Sequence, residues 1–201
     1  MKLFTDKTVA LVCNGSSILE NNFSTEIDSS DIVVRINNGA LNYKKFKSKL
    51  GNKMDVFLYN GFLPHDVDDI FTHFMLSLNN DVHIGFTRPL TKPCVKMVSD
   101  FYIDPYFLRL LRQNNKPFFY PDETLFKRYE FNGYINFTSG LTALYMILDK
   151  SPSLLKVFGL DFFETSYFYG GQSKYFHDMG CEKVMVDNVR RKFKNVKFYG
   201  C

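Results

Sequence analysis

Three asparagines stand immediately after apolar runs: Asn14 after the run beginning Val9 to Val12, Asn37 after Asp31 to Ile36, and Asn60 after Met54 to Tyr59. A carboxamide carries both a donor and an acceptor, so each can meet a phosphate or ribose oxygen, or a sugar hydroxyl. Asn14 opens the turn Asn14-Gly15-Ser16-Ser17, where a permissive glycine and exposed amides suit an anion without a metal or a lysine. The same tetrapeptide also suits an ordinary strand-to-helix turn capped by a serine. A second small-residue turn, Thr138-Ser139-Gly140, precedes a run with Leu141, Leu144, Tyr145 and Leu148 at helical spacing, and Ser139 is the expected cap. Asp161 leaves another apolar run, placed either to orient a ribose or to stabilise its own loop. His177 follows the bend Gly170-Gly171 and precedes Glu182 by five residues; its loop position makes it the best-placed of the four histidines for proton transfer. His73 and His83 read as packing or surface residues, while His65 sits in a loop near Asn60.

These groups need a scaffold that gathers strand ends. Val9 to Val12 are continuously apolar, as expected of a central strand covered on both faces. Further strands are expected at Asp31 to Ile36, Met54 to Tyr59, Val82 to Phe86, Val98 to Ile103, Leu154 to Leu160 and Val196 to Tyr199, with helical segments between them. The alternation predicts an open, mostly parallel sheet whose carboxyl ends line one crevice. Helices are expected at Asn42 to Lys49, stopped by Gly51-Asn52, and at Asp66 to Leu76, Tyr106 to Gln113, Leu141 to Leu148 and Asp178 to Arg190. Arg35, in mid-strand, either buries its stem beside Asp31 or Asp28 or faces a ligand; the former suits its position better. The chain is read as a single catalytic domain over 1–201, with a substrate-facing insertion or lid at about 87–132.

The 201 residues and 45% apolar content support a true core. Neither the GxGxxG nor the GxxxxGK[ST] pattern is present, which argues against a standard dinucleotide site and a triphosphate-hydrolysing loop. The +4 formal charge does not choose among anionic partners. YKKFKSKLGNK and RRKFKNVK interleave aromatics with basic residues, but no recognised RNA-binding module contains them and no strong nucleic-acid signal results. Cys13, Cys94, Cys181 and Cys201 lack paired spacing and fit a reducing compartment. A cytoplasmic or other reducing intracellular location is expected, with room for peripheral membrane association. No apolar stretch suits a signal peptide or a membrane span. Oligomeric state is left open.

In combination, VALVCNGSSILENNFSTEIDSSDIVVRINN resembles the long motif of the eukaryotic-type sialyltransferase family, and NFTSGLTALYMILDKSPSLLKVFGLDFF resembles its short motif. HDMGCE keeps the H-x-x-x-x-E relationship, and GNKMDVFLYN is similar to the segment linking the two halves. A more distant similarity is to bacterial CMP-sialic-acid-dependent sialyltransferases. The resemblance implies a variant GT-A glycosyltransferase, a Rossmann-like α/β/α arrangement. It implies CMP-sialic acid as donor substrate, a glycan acceptor, and metal-independent inverting transfer without a cofactor. Carried onto this chain, Asn14 and Asn37 bind the CMP phosphate or ribose region, Gly15 and Ser16 shape the approach, and Thr138, Ser139 and Gly140 complete the nucleotide wall. Asn60 and Asp161 are additional donor contacts, His177 is the general base, and Glu182 supports it. Two features depart from the family: Cys13 has no cysteine partner in the short-motif region, and Tyr167 to Tyr169 lacks the histidine of the H-Y-Y segment. Other expectations stay open: transfer of another CMP-linked acid such as 3-deoxy-manno-octulosonic acid, a catalytically inactive nucleotide- or glycan-binding protein, or RNA binding.

Overall fold

The computed structural model describes residues 2–61, 68–88, 103, 105–128, 137–162, 164–171 and 177–200. Seven strands form one sheet: β1 Thr8–Val12, β2 Ile32–Ile36, β3 Val56–Tyr59, β4 His83–Phe86, β5 Phe118–Phe119, β6 Leu154–Phe158 and β7 Val196–Tyr199. Their order is β5-β4-β3-β2-β1-β6-β7, and every named pair is parallel. The order turns back at β1, whose neighbours are β2 and β6. That reversal opens a crevice beyond the carboxyl ends of β1 and β6, where ligands of open parallel sheets bind.

Eight α-helices are described: α1 Ser24–Asp28, α2 Asn37–Asn42, α3 Lys47–Leu50, α4 Asp68–Ser77, α5 Pro105–Gln113, α6 Glu123–Arg128, α7 Ser139–Leu148 and α8 Met179–Lys192. Side chains of alternating parity on β1 and β2 feed two cores. Val9, Leu11, Val34 and Ile36 pack with α7 and α8, while Ala10, Val12 and Val33 pack with Ile18, Ile27, Tyr43 and Leu50. A third cluster joins Phe57, Tyr59, Ile84 and Phe86 to α4 and α5. Gly140 to Leu148 of α7 are buried on every side, so the helix is a core element with more than one apolar stripe.

Several local outcomes differ from expectation. The helix expected from Asn42 begins at Asn37 as α2, continues through a 3-10 turn at Tyr43–Phe46 and ends in α3. Its terminus at Gly51 is as expected: φ there is +72°. Phe118–Phe119, read as punctuation between prolines, adds an edge strand beside Ile84 and Gly85, and α6 follows within the interval expected to be an insertion. Residues 89–102 and 129–132 of that interval, with 98–102 of its expected strand, lie outside the described residues, as do His65, Cys94 and Cys201. Among the described residues, no helix is long and apolar enough to cross a membrane.

Arg35 is structural. It is 1% exposed, its Nε donates to Lys53 O at 2.9 Å and its Nη2 to Leu50 O at 2.7 Å, and its guanidinium lies 4.0 Å from the Tyr43 ring centroid. Burial lowers its pKa to about 10, so it remains cationic at neutral pH. Two carbonyl acceptors and the Tyr43 face are its partners, while Nη1 has no hydrogen bond among the described residues.

Candidate active site

A cavity of about 440 Å³ lies at the topological reversal, within the size range of small-molecule sites. It gathers Asn14 and Gly15 from the exit of β1, Asn37 and Asn60 from those of β2 and β3, and Thr138, Ser139 and Gly140 from the start of α7. Asp161, His177 and Glu182 complete the convergence. Of the sequence-derived site residues, Ser16 alone is outside the lining.

The β1 turn does not present its amides to the cavity. Gly15 N–H donates to Gly159 O at 3.0 Å, Ser16 N–H to Ser166 O at 2.8 Å and Thr165 Oγ1 at 2.9 Å, and Ser17 N–H to Thr165 Oγ1 at 3.3 Å. The anion cradle expected at Asn14 to Ser17 is therefore corrected: these donors are spent on the loop after β6. Asp161 serves the same joint, accepting from Ser17 Oγ at 3.0 Å and from Thr165 Oγ1, so of its two expected roles the structure shows the loop-stabilising one. Gly15 is required by this close approach, since a Cβ there would fall 2.5 Å from Asp161 Oδ1.

Asn14 is 9% exposed, and its Oδ1 has no hydrogen-bond partner among the described residues. Its Nδ2 donates to Tyr169 Oη at 3.5 Å. Burial raises the hydroxyl pKa of Tyr169, with the neighbouring Asn38 side chain opposing the rise, so the phenol keeps its own hydrogen. Asn37 occupies the left-handed region at φ +45° and accepts from Asn60 N–H at 3.0 Å through Oδ1, which ties the exits of β2 and β3 together. Asparagine tolerates that conformation better than most residues.

Thr138, and not Ser139, caps α7: its Oγ1 accepts from Leu141 N–H at 3.2 Å. Thr142 N–H bonds to Thr138 O at 3.0 Å. The amides of Ser139 and Gly140 have no acceptor among the described residues, as expected for the first turn of a helix. Gly140 permits tight packing there, where a Cβ would lie 2.8 Å from Leu160 Cδ1. Ser139 Oγ accepts from Thr87 Oγ1 at 3.4 Å.

Glu182, in the first turn of α8, is fully buried. Its Oε1 accepts from Thr138 N–H at 2.7 Å and its Oε2 from Thr138 Oγ1 at 2.7 Å. Burial pushes its carboxyl up to about 7; the Thr138 bonds and the charge of Arg88 oppose that rise, and Asp178 adds to it. His177 Nδ1 stands 4.0 Å from Glu182 Oε1. The carboxylate thus links the capping residue of α7 to the histidine loop. Asp178 fixes that loop to α8 by capping the helix, accepting from Cys181 N–H at 3.0 Å.

The cavity also holds residues outside the expected set: Asn38, Tyr59, Phe71, Arg88, Tyr167 and Tyr169. Arg88 stands two residues past β4, the strand-exit position that singled out the asparagines. Tyr167 and Tyr169 belong to the tyrosine-rich interval that departs from the family's H-Y-Y segment by lacking its histidine.

The family model for glycosyltransferase family 29 (sialyltransferase) matches residues 5–116, more than half of the chain's 201 residues. The chain belongs to that family, and with its parallel α/β sheet it is a Rossmann-like glycosyltransferase of the GT-A class. No curated protein matches it. Among solved structures, a mammalian sialyltransferase in complex with Gal-beta-1-3GalNAc-ortho-nitrophenol is 13% identical with a TM-score of 0.59, covering 96% of this chain and 68% of that one. A second mammalian sialyltransferase is 12% identical, with a TM-score of 0.56 and coverages of 96% and 69%. The sialyltransferase CST-II, a tyrosine-to-phenylalanine variant in complex with CMP, is 17% identical, with a TM-score of 0.60 and coverages of 96% and 80%. At these identities the likeness is one of fold.

Proposed function

We propose that the chain transfers sialic acid from a CMP-linked donor to a glycan hydroxyl, inverting the anomeric carbon. The observation that carries this reading is the meeting of the β1 to β3 exits, the amino end of α7 and the His177–Glu182 pair in one cavity. The resemblance of both halves to sialyltransferase motifs supports the choice of donor, as do the solved sialyltransferases of like fold, one of them bound to CMP.

The donor phosphate lies against the Ser139 and Gly140 amides, where the positive end of the α7 dipole favours an anion. The Tyr169 hydroxyl is a further donor to it. Asn14 Oδ1 is a buried acceptor, so it calls for a donor on the nucleotide: a ribose hydroxyl or the cytosine amino group. Asn37 and Asn60, bound to each other, hold the adjoining wall.

The acceptor oxygen attacks the anomeric carbon as the bond from that carbon to the CMP phosphate oxygen breaks. The acceptor's proton passes to His177, and the electron pair of the broken bond leaves with CMP as a phosphate anion that needs no proton. His177 Nδ1 faces Glu182, leaving Nε2 as the nitrogen for the acceptor. The amides that bind the phosphate also stabilise the charge it gains on leaving.

His177→Ala tests the assignment. Incubation with a panel of CMP-linked donors and mixed glycan acceptors, with products identified by mass and linkage, first establishes transfer by the native chain. The variant is then expected to keep CMP affinity and lose roughly 10²- to 10⁴-fold in turnover. Undiminished turnover would remove His177 as the base.

A further inference from the structure

Residues 32–54 hold five lysines and Arg35 and no acidic residue. Arg35 is held by the Leu50 and Lys53 carbonyls, and Lys53 by the Ser30 and Asp31 carbonyls and the Asp55 carboxylate. Lys49 turns its ammonium to Leu19 O. Lys44, Lys45 and Lys47 are exposed and have no ion pair among the described residues. Asp28 of α1 leaves them uncompensated, because it accepts from the Asn52 and Lys53 amides. The other basic run has a structural account: Arg190, Arg191 and Lys192 complement the carboxyl end of α8, and Arg190 pairs with Asp187 and covers Phe198. That account does not extend to α3, which is four residues long and whose Leu50 carbonyl Arg35 already serves.

The aromatic residues of this segment hold it against the site and leave its lysines outside. Tyr43 is buried beneath the Arg35 guanidinium, and Phe46 meets Phe168 edge-on at 5.4 Å. Phe168 lies between Tyr167 and Tyr169, which are both in the cavity wall. From the lining residue Asn38, α2 runs outward: Asn42 Nδ2 donates to Asn38 O at 2.9 Å, and Lys45 Nζ donates to Asn42 Oδ1 at 3.0 Å. The lysines thus adjoin the rim of the cavity without entering its lining. With both aromatics turned inward, the strip offers charge but no apolar wedge for a bilayer and no ring for a base. Separate ammonium groups without an arginine fork meet phosphate oxygens as point charges.

We propose that Lys44, Lys45 and Lys47 select the acceptor, favouring glycans that carry phosphate beyond the sugar that reacts. This rests on the transfer reading above and deepens it by naming the acceptor class. A phosphorylated acceptor approaches a donor that is itself anionic, and ammonium groups at the rim offset that repulsion. A neutral acceptor gains nothing from them. The effect falls on KM and leaves kcat alone, because the strip lies outside the cavity where the bond is made.

The test offers acceptor glycans in pairs, identical except for a phosphate on the aglycone of one member, with CMP-sialic acid as donor at low salt. For the native chain the phosphate-bearing members are expected to show KM values roughly 3- to 30-fold below their neutral partners. The gap closes at about 1 M salt, where the screening length is about 3 Å. In Lys44→Gln/Lys45→Gln/Lys47→Gln both members are expected to share the neutral KM, with CMP affinity and melting temperature unchanged. Lys44→Gln and Lys47→Gln alone, which remove no side-chain hydrogen bond of the described residues, carry the comparison should the triple variant melt early. Equal KM values in the native chain, or a preference that survives the triple substitution, would overturn the assignment. Anisotropy binding of the same pairs to the CMP-loaded protein decides the matter if no acceptor is turned over. Selective binding lost in the variant then upholds the strip while the transfer reading fails, and absence of selective binding overturns the strip. Variant-sensitive binding to phosphatidylglycerol-containing vesicles or to a single-stranded oligonucleotide, without a preference within the glycan pairs, would assign the lysines to a membrane or a nucleic acid and overturn the proposal too.

Discussion

Glu182→Gln separates the electrostatic cost of the buried carboxylate from its hydrogen bonding. Glutamine has the same outline: its carbonyl can accept from Thr138 N–H and its amide can donate to Thr138 Oγ1, so the joint between α7 and α8 is retained. What it lacks is the titration. Burial raises the carboxyl from its usual 4.5 to about 7, which means that the folded chain holds this proton more tightly than the unfolded one. The resulting stabilisation is fully present below about pH 4.5 and is lost as pH rises through about 7. At about 1.36 kcal/mol per pKa unit, its size is on the order of 3 kcal/mol. Urea unfolding of the native chain and the variant from pH 4.5 to 8 isolates it, because other groups cancel in the difference. The native chain is expected to lose stability relative to Glu182→Gln by that amount across the window. Difference values that do not change with pH would show that Glu182 ionises freely in the folded state and would refute the argument.

Asn14→Ala removes an acceptor that has no partner among the described residues, so it is expected to leave the melting temperature nearly unchanged while weakening CMP binding about tenfold; a large loss of stability with full affinity would show Asn14 to be structural. Gly15→Ala drives a methyl into the Asp161 carboxylate and is expected to cost roughly 1–3 kcal/mol in urea unfolding. Adding Asp161→Ala should recover part of that loss, and strict additivity of the two changes would contradict the contact.

The strands were legible where burial on both faces leaves an uninterrupted apolar run, as in Val9 to Val12 and Val56 to Tyr59. Six of the seven stand where strands were expected. β5 was not, because two phenylalanines between prolines carry no periodicity and pair only through the exposed edge of β4. The start of α2 was hidden by Asn37, whose left-handed backbone ends the strand and begins the helix in a single residue. Most of the site was legible because strand exits and a small-residue helix start announce themselves locally. Arg88 was passed over although it stands two residues past β4, as Asn14 stands two residues past β1. The fate of the β1-turn amides was beyond local reading: their acceptors, Gly159, Thr165 and Ser166, lie about 150 residues away in the chain.

That misreading has a chemical consequence, because it divides the labour of the site between the two motifs. The loop after β6 is sewn to the β1 turn by the amides of Gly15, Ser16 and Ser17, by the Gly15–Tyr167 bridge and by Phe168 N–H on Asn14 O at 2.9 Å. Those bonds carry Tyr167 and Tyr169 to the cavity wall and set the Asn14 side chain beneath Tyr169. The first motif therefore builds the wall and supplies side-chain groups. The helix-end amides remain at α7, whose cap is fixed by the same carboxylate that neighbours His177. A displacement of Thr138 would move the first amides of α7 and disturb the Glu182 oxygen facing the imidazole together. In the proposed mechanism leaving-group stabilisation and proton removal are thus positioned through one residue, which would be a physical reason for the amino end of α7 and the first turn of α8 to be tied by two short hydrogen bonds to a fully buried glutamate.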